Sequence, residues 1–508
     1  MTKNSQLEDT LIVDCSVSGI EASAYGGGFI IGYTYNEKDE GFSEVRNVTV
    51  SNCVARSTSA AYGGGASLNR VNVDGLVVAE CKALNSQETP SKGIGMGGGM
   101  FKLVYVDSVL KNMFITNCTA NLRGGGFSSY GGTTGVLHVA DSSFVCNFLD
   151  PKPDTLDSGR GAGADFTYAT NYIDRSLFCG NRILSTSKAT IGARLDFSAS
   201  SGAFVSDSVI CGNVTEGGSD YGGGLLFSST AGPLVVSNCV LEANSTRQGG
   251  GFYVSSSKDV ILTDVFCVSN NAYDRSIGYI SLNAGGCSAQ IRNSYFTGNG
   301  GEGRQWFGSL LVSSTSKKSP VMLEYCTFVS NCVDSTVSYV VGPSINNPAK
   351  LPEKESETNT VENFQIKGCV FTSNSDKSTF PLCMNAFTNI TYTYADSFRA
   401  TWMTSVEELH NYNKSMLGNQ VPVVDLASDH RLRRGTSLVD GGVAEDWMGV
   451  GKRNGQLDMG DGTYSIVRSG EHGVTVVRHE AVPRIRGRTV DYGCFEYNFI
   501  PGMYMLFK

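Results

Sequence analysis

Two aspartates at one repeat position are the residues best suited to acid–base chemistry. Asp165 and Asp196 occupy the same place in the related segments GAGADF and GARLDF, with Arg160 and Arg194 nearby in sequence. If such segments stack as neighbouring strands, the two Cα atoms would lie about 5 Å apart. Two carboxyl groups at about 5–5.5 Å could serve as acid and nucleophile on a glycosidic bond. The alternative is a pair of solvent-facing residues, offset by the arginines.

A second acidic series precedes a recurrent phenylalanine by three or four residues. Its members are Asp141, Asp174, Asp207 and Asp264, with Asn238 and Asn293 at equivalent places. Stacked carboxylates repel one another unless a cation or hydrogen-bond donors offset their charge, so the first three are candidate Ca²⁺ ligands. Because asparagine replaces aspartate within the series, we favour turn residues that accept backbone N–H bonds. We therefore predict neither a metal nor another cofactor.

The cysteines and histidines do not indicate a zinc site. The chain has 15 cysteines, an odd number, with no C-x-x-C pair, and its five histidines include no i,i+4 pair. Six cysteines lie at or beside the recurrent phenylalanine, namely Cys179, Cys211, Cys239, Cys267, Cys326 and Cys369. Buried packing is the favoured interpretation, and a disulfide between neighbouring repeats is the alternative in an oxidising compartment.

Charge and hydropathy exclude several classes of protein. Forty basic and 48 acidic residues give a net charge of -8, which does not favour nucleic acid as a partner. No apolar run approaches the length of about 18 residues that a membrane span needs. The chain also begins with a polar segment, MTKNSQLEDT. The sequence thus predicts no membrane span and no intact export signal.

Two motifs recur in fixed phase and define the elements that must position these residues. Glycine triplets begin at residues 26, 63, 97, 124, 222 and 249, and each is followed by apolar residues. An F-x-x-N motif, with Ile, Leu or Cys in the Phe place of three copies, follows later in each repeat. Its asparagines are Asn117, Asn147, Asn181, Asn213, Asn244, Asn270, Asn299, Asn331 and Asn374. Their spacing gives a repeat of about 30 residues, a length typical of solenoid proteins.

The repeat predicts an all-β parallel β-helix. Apolar residues alternate with polar ones in short runs bounded by Gly, Asn or Ser, which is typical of strands, and about three strands fit into one repeat. We predict about eleven coils over residues 1–375, in which the nine asparagines form a ladder at one turn. Residues 376–422 form a terminal coil and linker, and residues 423–508 a β-rich cap.

The combined motifs resemble a known family. Alternating GGG and F-x-x-N segments are similar to the polymorphic outer-membrane proteins, which are autotransporter adhesins, and to right-handed parallel β-helix repeat proteins. Residues 423–442 and 482–498 resemble the choice-of-anchor type module that closes many secreted bacterial β-helix proteins. The matching residues are Asp429, Arg431, Leu432, Gly435, Ser437, Asp440, Gly442, Pro483, Arg484, Gly487, Val490, Asp491, Gly493 and Glu496. Cys494 departs from the small Ala usual there.

The resemblance implies a secreted or cell-surface rod with a structural and adhesive role. Its expected partner is a polysaccharide or another cell-surface ligand, and we expect a monomer that lacks its export signal and N-terminal cap. The alternative is a polysaccharide lyase or glycoside hydrolase that uses Asp165 and Asp196 on the helix exterior. Of these two interpretations we favour the structural and adhesive rod, which has no enzymatic activity.

Overall fold

Strands are the regular elements throughout the part of the chain that the structure describes. The computed structural model describes residues 5–32, 41–86, 94–151, 159–184, 195–216, 221–273, 276–300, 307–314, 319–329, 331, 338–343, 364–367, 369–372, 379–382, 389–391, 394–395 and 464–478. Asn374, residues 347–360, most of 376–463 and all of 479–508 lie outside these residues.

Three long parallel sheets contain most of the strands, because each repeat up to Ala272 contributes to all three in the same order, and the described later repeats contribute to the first and third. The first sheet consists of Gln6–Glu8, Leu11–Val13, Ser43–Ser51, Val71–Ala79, Ser108–Thr116, Val136–Ala140, Ser143–Val145, Thr170–Asp174, Leu177–Cys179, Gly202–Ser206, Val209–Cys211, Leu234–Glu242, Val260–Val268, Ala289–Arg292, Tyr295–Thr297, Val321–Glu324, Thr327–Val329, Phe364–Lys367, Val370–Thr372, Asn389–Thr391 and Tyr394–Ala395.

The second and third sheets are built from shorter strands. The second consists of Ser16–Gly19, Val54–Ser57, Lys82–Asn85, Thr119–Ala120, Phe148–Leu149, Arg182–Leu184, Val214–Glu216, Ser245–Thr246 and Asn271–Ala272. The third consists of Phe29–Ile31, Ala66–Asn69, Met100–Val104, Phe127–Gly131, Ala164–Thr167, Leu195–Ser198, Leu225–Ser229, Phe252–Ser256, Ser276–Leu282, Phe307–Ser314, Ser338–Pro343 and Thr379–Leu382. A small three-stranded sheet consists of Ala24–Tyr25, Ala60–Tyr62 and Ile94–Met96.

Each strand pairs in parallel with its equivalent one repeat later, and the architecture is therefore consistent with a β-helix, or solenoid. Val45 pairs with Val73, which in turn pairs with Leu110. Equivalent residues thus become neighbours at the spacing of adjacent strands, about 4.8 Å. We refer to one such repeat as a coil.

Stacked apolar side chains fill the space between the sheets. Phe144 and Phe178 stack with ring centroids 4.8 Å apart, and Phe296 and Phe328 with centroids 4.6 Å apart. All four rings are fully buried. Burial of apolar surface contributes roughly 25 cal/mol per Å², so these continuous columns hold the coils together.

The glycine triplets form tight corners against the next coil. Gly63 has a φ of +66°, a left-handed conformation that strains other residues. A Cβ on Gly126, the third glycine of another triplet, would lie 2.8 Å from Cγ of Asn147. The third glycine thus makes room for the asparagine column, which links the two sequence motifs physically.

An antiparallel hairpin of Tyr464–Ser469 and Gly473–Arg478 packs on the outer face of the first sheet. Val476 joins a buried apolar cluster with Val209, Val240, Phe266 and Tyr295. The backbone N–H of Val474 donates to the carbonyl oxygen of Arg175 at 3.0 Å. The described part of 423–508 therefore lies on the side of the coils between residues 108 and 297. The remainder of the predicted cap stays a prediction.

Candidate functional site

Seven of the predicted ladder asparagines form one continuous hydrogen-bonded column. Asn147 donates its backbone N–H and its Nδ2 amide to Oδ1 of Asn181, at 3.0 and 3.1 Å. Asn181 does the same to Asn213, at 3.0 and 3.1 Å. The pattern continues through Asn244, Asn270, Asn299 and Asn331. All seven side chains are buried, so the column satisfies polar groups that water does not reach.

Asn117 is not part of this column, and its predicted place in the ladder is wrong. Its side chain is exposed, and Cys118 donates its backbone N–H to Oδ1 of Asn147 instead. Ile115, not Phe114, pairs with Phe144 in the core. The F-x-x-N match at Phe114 is therefore displaced by one residue, which in a strand exchanges inward and outward side chains.

The candidate acid–base pair is adjacent but enclosed. Asp165 and Asp196 pair in register in the third sheet, and both side chains are fully buried. Ser128 donates its hydroxyl to Asp165 Oδ2 at 3.2 Å, and Ser198 donates to Asp196 Oδ1 at 2.7 Å. Asp196 Oδ2 is buried without a hydrogen-bond partner. This environment favours a neutral carboxyl group.

Burial controls the protonation of this pair. Desolvation, reinforced by the charge of Asp165, raises the pKa of Asp196 to about 7. Desolvation also raises the pKa of Asp165, while Arg123 and Arg160 act in the opposite direction. A glycosidase needs both carboxyl groups beside the substrate. The predicted exterior position of Asp165 and Asp196 is therefore wrong, because both side chains are fully buried. The two side chains form a buried carboxyl pair, in which the charge of one raises the pKa of the other, and not an open catalytic centre.

The candidate calcium ligands are interrupted by an arginine. Asp141, Arg175 and Asp207 occupy successive left-handed turn positions, with φ between +45° and +49°. Nε and Nη2 of Arg175 each donate to an Asp141 carboxylate oxygen at 2.9 Å. These bonds are the main reason why the pKa of Asp141 lies below its ordinary value. The Arg175 guanidinium group thus offsets the negative charge of Asp141, the role that a Ca²⁺ ion would have at this position.

The sequence predicts that Asp174 shares a position with Asp141 and Asp207, but it lies one residue before that position, which Arg175 occupies. It pairs in register with Ala140 and Ser206, and its carboxylate contacts Arg175 and accepts the Ser206 hydroxyl at 2.8 Å. Among the described residues no group of three His, Cys, Asp or Glu side chains has a metal-binding arrangement. Asp141 and Asp174 contact Arg175, and Asp207 accepts a hydrogen bond from Nδ2 of Asn238 at 2.5 Å.

An aromatic cleft that the sequence analysis missed lies between the small sheet and the third sheet. Its volume is about 450 Å³, within the range usual for ligand pockets. Arg123 is its charged residue. The remaining lining residues are Tyr25, Tyr62, Ile94, Met96, Phe101, Leu103, Tyr105, Leu122, Tyr130 and Tyr168.

The rings of the cleft support one another across coils. Tyr62 stacks on Tyr25 at 4.8 Å between centroids and lies 4.8 Å from Phe101. Tyr130 and Tyr168 meet edge to face at 5.2 Å. Such packing fixes ring positions while leaving the cleft open, since Tyr130 is 38% exposed. The cleft can therefore offer flat apolar surfaces beside hydroxyl and guanidinium donors.

A sequence signal for this cleft exists in the residue before each glycine triplet. Tyr25, Tyr62 and Met96 immediately precede the triplets at 26, 63 and 97, and Arg123 precedes the triplet at 124. The structure pairs Tyr25 with Tyr62 and Tyr62 with Met96, and Met96 bridges to Arg123. This column forms one wall of the cleft.

Comparisons with known proteins yield no relative for this chain. No family model matches it, and no curated protein or solved structure matches it either. Within the described ranges no helix has the length and hydropathy needed to cross a membrane.

Proposed function

We propose that this protein is a surface-displayed or secreted β-helix rod that binds carbohydrate through its aromatic cleft. The observation that carries the proposal is the row of Tyr62, Phe101, Tyr130 and Tyr168 beside Arg123. Sugar rings have apolar C–H faces that pack on aromatic rings, and their hydroxyl or carboxylate groups accept hydrogen bonds from Arg and Tyr. The regular column of coils supplies a rigid support for such a site.

We also propose a handedness and a length for the β-helix. We assign a right-handed helix of about eleven coils, because parallel β–β crossovers are right-handed in almost all proteins. The alternation of GGG and F-x-x-N supports the relationship to polymorphic outer-membrane adhesins, and the segment after residue 423 supports the choice-of-anchor type module. Secretion or cell-surface display follows from that resemblance.

The test compares two tyrosines of nearly equal exposure. Tyr130 lines the cleft and is 38% exposed, whereas Tyr172 is 37% exposed and stacks between His138 and Phe204 on the first sheet. The full chain is screened on a glycan array, and the best neutral and acidic oligosaccharides are titrated by calorimetry. We expect Tyr130→Ala to weaken binding about tenfold or more, a loss of about 1.4 kcal/mol, and Tyr172→Ala to leave it unchanged.

Three results would contradict carbohydrate binding at the cleft. These are the absence of any glycan bound by the full chain, equal losses in both tyrosine variants, or full affinity in Tyr130→Ala. The enzymatic alternative is tested with a reducing-sugar and unsaturated-product assay on acidic and neutral polysaccharides. If the wild type cleaves a polysaccharide and each of Asp165→Asn and Asp196→Asn abolishes this cleavage, the proposed function would change from adhesion to glycoside hydrolysis or lyase chemistry.

A further inference from the structure

Cys179 and Cys211 form a close thiol pair at the end of two neighbouring strands of the first sheet. The two residues pair in register, and their Sγ atoms are 2.8 Å apart. Both side chains are partly exposed. We propose that this pair is a thiol–disulfide redox site, which small-molecule disulfides oxidise to a covalent link between adjacent coils.

The backbone geometry suits this bond. In-register residues of parallel strands lie about 4.8 Å apart, and disulfides join Cα atoms about 4.4–6.8 Å apart. Side chains at one register position also point to the same face of the sheet. The sulfur atoms therefore need only a small side-chain rotation to bond, without a shift of either strand.

The hydrogen bond gives the two thiols different roles. Cys211 donates its S–H to the sulfur of Cys179, and this bond lowers the pKa of Cys179 to about 7. The same bond, together with burial and the charge of Glu242, raises the pKa of Cys211. Glu242 is the next residue in this register column. Cys179 is thus the attacking thiolate and Cys211 the resolving thiol.

The hairpin also makes Cys211 less accessible than Cys179. Cys211 packs against the apolar cluster that contains Val209, Val240 and Val476. A bulky oxidant therefore has less room at Cys211 than at Cys179. The order of attack follows from both charge and access.

The reaction balances with oxidised glutathione as the disulfide. The Cys179 thiolate attacks one sulfur of oxidised glutathione, which forms a Cys179–glutathione mixed disulfide and releases one glutathione thiolate. Loss of the Cys179 thiolate also removes the main cause of the raised Cys211 pKa, so Cys211 then gives its proton to solvent or to that thiolate. The Cys211 sulfur attacks the Cys179 sulfur and releases the second glutathione. Two protein thiols lose two electrons, and one glutathione disulfide gains them.

Other cysteines provide internal comparisons. Cys239 and Cys267 are fully buried, and burial raises the pKa of Cys239 to about 12 and that of Cys267 as well. Cys146 is partly exposed but occupies a turn with a φ of +52°. Its Sγ lies over Gly180, one residue from the register position of Cys179. Cys146 is therefore the competing partner that an experiment must distinguish.

The experiment oxidises the reduced full chain with oxidised glutathione at pH 7.5 and maps the products by mass spectrometry. Trypsin with glutamyl endopeptidase separates Cys211 from Cys239, because Glu216 lies between them. We expect a Cys179–Cys211 cross-link in the wild type and in Cys146→Ser. The Cys211→Ser variant should stop at a glutathione adduct on Cys179, and Cys179→Ser should react at Cys211 at least tenfold more slowly.

Two outcomes would overturn the proposal. One is a predominant Cys146–Cys179 cross-link, and the other is a Cys211→Ser variant that gains no glutathione at Cys179. Circular dichroism of each variant verifies the fold, and the urea-unfolded wild type serves as the reference. Unfolding should abolish the selectivity, because the pair is made by the register of two coils.

Discussion

In both the asparagine column and the Asp165–Asp196 pair, identical residues are neighbours in adjacent coils. In the asparagine column each side chain donates from Nδ2 and accepts at Oδ1, so identical neighbours complement one another. A carboxylate only accepts, and Asp196 keeps one buried oxygen without a hydrogen bond. Stacking of like residues is therefore favourable for amides and requires a proton for carboxyl groups.

Cysteines occupy the asparagine column in the N-terminal coils. The backbone N–H of Cys53 donates to Sγ of Cys81 at 3.4 Å, and Sγ of Cys118 contacts the carbonyl oxygen of Val78 at 3.7 Å. Asn147 makes the equivalent carbonyl contact, to Ile115, at 3.0 Å. The thiols thus form longer and weaker versions of the same interactions.

The largest effect is expected from breaking the asparagine column at its centre. Asn213→Ala removes the acceptor of two Asn181 donors and the donor to the carbonyl oxygen of Phe178, all buried. We expect a loss of about 2–5 kcal/mol in the free energy of unfolding, seen as a lower urea midpoint by circular dichroism.

Asn117→Ala is the matched control for this substitution. Asn117 is exposed and has a φ of +52°, so alanine costs only the left-handed conformation, about 1–2 kcal/mol. Equal losses in the two variants would contradict a special role for the column.

A smaller effect, dependent on pH, is expected from Asp196→Asn. Because the folded protein raises the Asp196 pKa from 3.8 to about 7, it binds more protons than the unfolded chain between these values. Stability from this group is thus greatest at low pH and is lost as the pH rises towards 7. The urea midpoint of the wild type should be lower at pH 8 than at pH 5, and this difference should be smaller for Asp196→Asn. An unchanged pH dependence in Asp196→Asn would contradict the neutral pair.

The smallest effect is expected from extending the column by one residue. Cys118 already contacts Asn147 Oδ1 through its backbone N–H and the carbonyl oxygen of Val78 through its Sγ. In Cys118→Asn the new side-chain amide would face the same two acceptors. We expect the urea midpoint to stay equal or to rise by the equivalent of up to about 1 kcal/mol. The reverse change, Asn147→Cys, should lower it by about 1–3 kcal/mol. A strongly destabilised Cys118→Asn would show that the column cannot be extended.

The two register errors of the sequence analysis have a common physical origin. F-x-x-N matches at Phe114, but the segment shared with Cys53 and Cys81 is Cys-x-Ala, which places Cys118 in the column. Likewise, a serine follows Asp141, Arg175 and Asp207, and this serine, not the aspartate, marks the turn. A short sequence motif can match one residue away from the true register of a strand, whereas the backbone hydrogen bonds between coils fix that register.

The sequence by itself determined the repeat length, the strands and the asparagines that become vertical neighbours, because residues one repeat apart need only parallel pairing to meet. Tertiary structure decided the burial of Asp165 and Asp196, the pairing of Cys179 with Cys211 and the placement of the hairpin at 464–478. It also assembled a cleft from residues between Tyr25 and Tyr168. Enclosure and access depend on segments that are distant along the chain, and a periodic pattern carries no information about them.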